Sequence, residues 1–358
     1  MIPGPDVVPL PAPPWLLSTL LMLLFVLHLV PMNLLLGGSI IAAVSRIRGR
    51  TNAHAAALAD LIAHALPVIV AATVSLGVAA LLFVQALYGR LFFTAAVLMA
   101  AAWLGLVVLL ILAYYGTYVG AARRSAGLAW VIVVLVAAIG FIQSNVMSLM
   151  LRPPSLSAKF ALSAAGLHWN LGDPTLAPRC LHMLIGSVAV SGAAVAAMGL
   201  VARRRDVLFA NWLVHHGVLW CACGTVVNLL AGFWWLGALP SEILLRFMGR
   251  DLAGTIAMGV GILAALSALG HFIPAAYAGA PGSLVVGGVG SLAVSLASMA
   301  FVRDVVRRAM LQGAGFAITT SLAPQWGAIA VFALLLVTAA GTIVWMVKKL
   351  MTPARTTA

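Results

Sequence analysis

The sequence predicts an all-α fold, a polytopic membrane bundle of about nine transmembrane helices, N-terminus outside and C-terminus cytoplasmic. Three observations predict it. Of the 358 residues, 64% are hydrophobic and only 8% charged, against about 25% charged in soluble domains. Apolar runs recur from end to end, and about 20 such residues suffice to cross a bilayer. The basic residues gather in short clusters between those runs, where they set orientation. The net charge of +13 is therefore no nucleic-acid signal. The partner that composition names is the lipid bilayer.

The proline-rich residues 1–14 predict an extended lead-in. Span one covers about Trp15–Ser45 and stops at Arg46, Arg48 and Arg50. Span two covers about Asp60–Leu87. Tyr88-Gly89-Arg90 predicts a tight turn into span three, which ends near Tyr118. Span four covers about Leu128–Met150, and an outer loop, 151–178, follows with Pro153, Pro154, Trp169, Asp173 and Pro174. Span five runs from Arg179 to Ala202, before Arg203–Arg205. Span six covers about Val207–Leu239 and leads through a short loop, Pro240–Arg250, to span seven, about Asp251–Ile273. Span eight covers about Ser283–Val302. A basic stretch, Arg303–Arg308, and a Gly-rich loop precede span nine, about Gln325–Val347. Lys348 and Lys349 close it, and 350–358 form a cytoplasmic tail. The dense clusters fall on one side, which the positive-inside rule makes cytoplasmic. The whole, 1–358, reads as a single transmembrane domain.

Acids are scarce. Asp6, Asp60, Asp173, Asp206, Glu242, Asp251 and Asp304 all fall at span ends or in loops. A carboxylate in mid-membrane is the usual relay of an ion-coupled transporter, so this pattern argues against one. No Walker loop, zinc spacing or Ser/His/Asp set is present. Cys180, Cys221 and Cys223 are too few for a disulfide frame and read as packing residues.

Imidazole and thioether are what the membrane does hold. His28 lies within span one, His182 opens span five and Met258 lies within span seven. Span five follows His182 with small residues, Gly186, Ser187, Ala189, Ser191 and Gly192, a face smooth enough to admit a flat cofactor. A lone His in a helix is more often a buried ring bonded to a carbonyl, and a lone Met is more often core. A second group sits toward the inner boundary: His64, His215, His216 and His271. Interfacial hydration or a helix-end hydrogen bond accounts for these equally well. His54 and His168 read as solvated loop residues.

These residues resemble subunit I of the cytochrome bd quinol oxidases. Span one, LLFVLHLVPMNLLLGGSIIAAV, is similar to that family's first helix, with His28 at the haem-ligating position. SLGVAALLFVQALYGRLF is similar to its second helix, with Gln85 matching. DPTLAPRCLH resembles the segment that precedes the low-spin haem b histidine and puts Pro174, Arg179 and His182 on matching positions. IAMGVGILAAL resembles the helix that supplies the methionine completing that haem, which is Met258 here. RDVVRRAMLQG lies where the family has a Glu followed by Gly-Arg-Gln-Pro-Trp; Asp304 replaces the Glu and Arg307 keeps the Arg. The departures concern oxygen chemistry. AAVLMAAAWLGLVV carries none of the third helix's glutamates, the outer quinol loop is reduced to about a dozen residues, and Gln-Pro-Trp is missing.

The resemblance implies a bacterial inner-membrane protein with haem b, two or more copies. His182 and Met258 would ligate one iron and His28 a second, with Asp304 as a further contact. Arg179, Arg303, Arg307 and Arg308 would meet propionates. His64, His215, His216 and His271 would hold a further haem or a quinone. The expected function is electron transfer between the quinone pool and a partner redox protein, a periplasmic cytochrome c-type or iron–sulfur subunit. A second membrane subunit is a further candidate partner. The alternatives are a bd-type quinol:oxygen oxidoreductase and a haem-free membrane anchor or transporter.

Overall fold

The computed structural model describes residues 6, 8–163, 165–203, 206–279 and 281–351. Arg204 and Arg205 of the triple-arginine cluster, most of the first seven residues and the tail from 352 on lie outside the described residues. So do the side chains of Lys348 and Lys349.

The described elements are helical: α1 Pro14–Arg48, α2 Ala53–Leu98, α3 Ala100–Arg123, α4 Ala126–Met150, α5 Pro153–Leu162, α6 Leu176–Ala202, α7 Val207–Gly237, α8 Ser241–Leu245, α9 Leu252–Tyr277, α10 Gly282–Gly313 and α11 Trp326–Met351. A π-turn, Arg246–Arg250, joins α8 to α9. Eight of them, α1–α4, α6, α7, α9 and α10, are long and apolar enough to cross a membrane. The ninth predicted span, α11, has a shorter apolar stretch, Trp326–Thr342.

Asp60, Asp173, Asp206 and Asp251 are spent on building these elements. Asp206 caps α7 through Phe209 N (3.0 Å), and Asp251 caps α9 through Gly254 N (3.0 Å). Such side chains satisfy amides that a helix start leaves unbonded. Asp60 ties Arg46 of α1 (2.6 Å) and Arg124 after α3 (3.2 Å) to α2. Asp173, almost fully buried, holds Arg152 (2.9 Å), the Thr175 amide (2.9 Å) and the Thr175 hydroxyl (2.8 Å).

Two four-helix groups result. In the first, α1 and α4 each pack against α2, and α3 packs on α2 and α4. In the second, α6 packs along α7, α7 against α9 and α9 along α10, with α10 returning to α6. The α1–α6 contact joins the groups. The small residues of α6 make these contacts. A Cβ on Gly37 of α1 would lie 2.0 Å from Ser187 O, and one on Gly192 would lie 2.5 Å from Cys221 N of α7. Backbones touch there, as small residues allow in membranes. The expectation that this face receives a flat cofactor is thus corrected, because α1 and α7 fill it.

Two predicted boundaries also move. The turn at 88–90 is a kink inside α2: only Tyr88 leaves helical dihedrals, and the reversal comes at Met99. The buried Tyr88 ring lies under the Arg307 guanidinium (5.0 Å) and beside Phe316 (6.0 Å), which fixes its backbone. Span eight does not stop at Val302. Asp304 pairs with Arg307 and with Arg308 (2.9 Å), three and four residues on, and such pairs favour helix. Val302, Val305, Val306 and Ala309 bury the opposite face.

At the end of the molecule that carries the 151–175 loop, the segment before α1 meets the segment before α11. Leu10 N donates to Ser321 O (2.8 Å), Ala323 N to Leu10 O (2.9 Å) and Gln325 N to Pro11 O (2.8 Å). Leu10 and Ala12 are buried. The adjoining helix α11 is mostly exposed and meets the first group through Phe332, whose ring lies 5.5 Å from Phe83.

Candidate functional site

His182 sits in the second turn of α6, and its Nδ1 lies 3.1 Å from the carbonyl of Asn228 on α7. A carbonyl only accepts, so Nδ1 carries the proton and Nε2 keeps a lone pair. One turn further along α7, Gly232 leaves room for the ring: a Cβ there would lie 3.1 Å from His182 Cε1. Trp235 stacks beside the imidazole, centroids 6.3 Å apart and planes at 23°. Two polar atoms of this region, Asn228 Oδ1 and Trp235 Nε1, are buried without a hydrogen-bond partner. Burying such atoms unpaired costs about 1–3 kcal/mol each.

His28, on α1, repeats the arrangement. Its Nδ1 lies 3.0 Å from the carbonyl of Thr73 on α2, which again leaves Nε2 as the free acceptor. Gly77, one turn beyond Thr73, makes the room; a Cβ there would lie 2.8 Å from His28 Cε1.

The predicted arginines converge around Arg303, which stands near His28. Arg303 of α10 lies over the Phe25 ring of α1, 4.3 Å from its centroid. It is within charge–charge reach of His28, Arg179, Arg307 and Asp304. The Arg303 side chain is itself exposed. Arg179 donates to Thr175 Oγ1 (2.7 Å) and is steadied by the Asp173 network. Arg307 and Arg308 share Asp304, whose two oxygens are thereby occupied. Among the described residues Arg303 has no ion pair. Five guanidiniums, Arg152, Arg179, Arg303, Arg307 and Arg308, thus stand against two carboxylates, Asp173 and Asp304, a local excess of positive charge.

Met258 lies on α9, packed against the buried cluster that includes Phe247, Val302 and Val305. Helices α6 and α9 are not a packed pair; α7 and α10 stand between them. His182 and Met258 therefore come from helices that are not neighbours in the second group.

The inner histidines are built differently. His64 Nδ1 bonds to Asp60 O and His271 Nδ1 to Ser267 O, each 2.7 Å and each within its own helix. His216 accepts from Trp220 Nε1 (2.9 Å) and stacks on Trp212 at 4.5 Å; His215 is exposed. His54, read as solvated, stacks against Phe209 at 5.6 Å. Among the described residues no three His, Cys, Asp or Glu side chains gather as an ion site, so these histidines do not form one centre. Of the cysteines, Cys221 is buried and Cys223 exposed.

Sequence reasoning missed Thr73, Gly77, Asn228, Gly232 and Trp235. A backbone acceptor leaves no side-chain signature, and two glycines among 34 carry no signal until the helices are paired.

The fold and these side chains define a class: a polytopic helical membrane protein with one imidazole fixed between helices in each of two four-helix groups. In particular, the chain is similar to a chain of the bd oxidase from Geobacillus thermodenitrificans, with a TM-score of 0.73 over 95% of this chain and 98% of that one, at 13% identity. The likeness is one of fold, and it is the fold that the sequence resemblance implies. No family model matches the chain, and no curated protein sequence does.

Proposed function

We propose that this chain is a haem b-binding membrane subunit of a respiratory complex that passes electrons between the quinone pool and a partner redox protein, a periplasmic c-type cytochrome or an iron–sulfur subunit. The observation that carries the reading is the pair of cross-helix bonds, His28 Nδ1 to Thr73 O and His182 Nδ1 to Asn228 O. Iron-binding histidines are held this way, with one nitrogen donating to an acceptor and the other free for metal. Each candidate ligand stands alone, as suits a macrocycle that brings four nitrogens of its own.

The surroundings fit such a group. Asn228 Oδ1 and Trp235 Nε1 are buried polar atoms still lacking partners. The excess of guanidinium around Arg303 suits the carboxylates of a porphyrin. His182 and Met258, reaching in from α6 and α9, would hold one iron, and His28 a second. Asp304 serves by gripping Arg307 and Arg308 rather than by ligation. Bound haem would supply a one-electron couple; the protein fixes the imidazoles, counters the carboxylates and excludes water. We leave His64, His215, His216 and His271 outside this site, because each has its own local or solvent partner. The N-terminus is placed outside and the Lys348–Lys349 end in the cytoplasm of a bacterial inner membrane.

A reduced-minus-oxidised spectrum with a pyridine haemochrome count tests this reading. Two haem b per chain are expected, and a chain without Soret absorbance would overturn it. Oxygen reduction in the manner of a bd oxidase is the second reading, favoured by the fold likeness. Carbon monoxide distinguishes the two: a shift of the reduced spectrum supports oxygen reduction, and an unmoved spectrum supports electron transfer alone.

A further inference from the structure

We infer that Gly77 and Gly232 are positioning residues, each opening a helix-interior carbonyl to a histidine of the neighbouring helix; the inference rests on the haem reading above. In an α-helix the carbonyl of residue i is bonded to the amide of residue i+4. Side chains tilt toward the helix N-terminus, so the side chain at i+4 covers that same carbonyl. A hydroxyl can slip past a small side chain there, as Ser295 Oγ does to reach Gly261 O (2.9 Å) beside Ala265, but an imidazole ring needs the space that a missing Cβ leaves. Thr73 and Gly77 stand in that relation, and so do Asn228 and Gly232.

The same device occurs twice, on different helices and in different four-helix groups. In both cases it is the donor nitrogen and Cε1 of the ring that occupy the space of the missing Cβ. That space is 2.8 Å from Cε1 and 3.1 Å from Nδ1 at His28, and 3.1 and 3.2 Å at His182. Gly287 also makes room for a histidine, His271, but that ring presents Cδ2 and Nε2 to it and bonds to its own helix. A close glycine alone is therefore not the device; the glycine one turn beyond the accepting carbonyl is.

Each glycine thus sets two properties at once. It lets Nδ1–H share an acceptor already used by the helix, which fixes the tautomer. It also sets the ring's approach, and with it the direction of the Nε2 lone pair. An added methyl separates ring from carbonyl, more severely at Gly77 than at Gly232.

Purified full-length Gly77→Ala, Gly232→Ala, Gly232→Val and Gly237→Ala test this by haem dissociation rate and by the spin state of the ferric spectrum. Gly237 lies on the same helix as Gly232 with nothing within 4 Å of its Cβ position, and is the control. Loss of a histidine's outer hydrogen bond weakens metal binding by about 10- to 100-fold. Gly77→Ala is expected to release its haem that much faster, Gly232→Ala at the low end of that range, and Gly232→Val with a shift toward high spin. Gly237→Ala is expected to behave as wild type. If Gly77→Ala and Gly232→Val match the control in both readouts, the inference is overturned. A wild-type chain without haem sinks the haem reading instead. In that event 15N NMR of histidine-labelled protein decides the positioning: Gly77→Ala should lose one Nδ1-protonated ring, and an unchanged ring count overturns it.

Discussion

His28 and His182 differ from His64 and His271 in whom they touch rather than in how. All four place Nδ1 against a backbone carbonyl, at 3.0, 3.1, 2.7 and 2.7 Å. For His64 and His271 the acceptor lies four residues back in the same helix, so the bond forms in that helix alone and says nothing of its neighbours. For His28 and His182 the acceptor belongs to another helix. Their rings are then fixed to a pair of helices and cannot turn without that pair separating. The first kind satisfies a polar group in an apolar place; the second also aims it.

The comparison would break most decisively at the aimed histidines. His182→Ala is expected to remove one of the two haems and His28→Ala the other, each counted by pyridine haemochrome; full haem content in either variant would erase the distinction. Next comes Met258→Leu, a swap of similar volume that costs less than about 1.5 kcal/mol. Haem should be retained while its ferric spectrum turns high-spin, because leucine offers no sulfur. Arg303→Gln should act more gently. Removing a cation within reach of His28 disfavours the reduced form of a nearby centre, so one midpoint potential should fall in a redox titration while haem content holds. The smallest effect belongs to the self-bonded pair: His64→Ala with His271→Ala should leave haem stoichiometry unchanged and cost about 1 kcal/mol of stability per bond at most. A lost haem there would return the inner histidines to the site.

Much of the fold was legible because a membrane enforces simple rules: long apolar runs must be helices and charges must lie between them. The boundaries that moved were set by tertiary contacts. Tyr88-Gly89-Arg90 has turn composition, yet Arg307 and Phe316 hold Tyr88 within a helix. Arg303–Arg308 looks like a flanking loop, yet Asp304 bridges two of its arginines and keeps it helical. At the site, His28, His182 and Met258 stand out as residue types that hydrocarbon does not welcome. Their partners do not, since Thr73 and Asn228 act through backbone oxygen. The small residues of α6 misled for a related reason. A stripe of Gly, Ala and Ser suits a flat ligand and a neighbouring backbone equally, and the glycines that face it, Gly37, Gly217 and Gly224, decide for the backbone.

The bridge between Leu10 and Leu322 has a consequence in time. Leu10 is made at the start of synthesis, and its partner follows roughly 300 residues later, a delay that adds little to the cost of closure because that cost grows only with the logarithm of loop length. Until then Leu10 can pack on the core of the first group but has no backbone partner across the bridge. The seal over this end of the bundle therefore forms only after every helix of both groups has been made, and a chain cut short before residue 321 would keep those eight helices, lose α11 and leave that end unlatched.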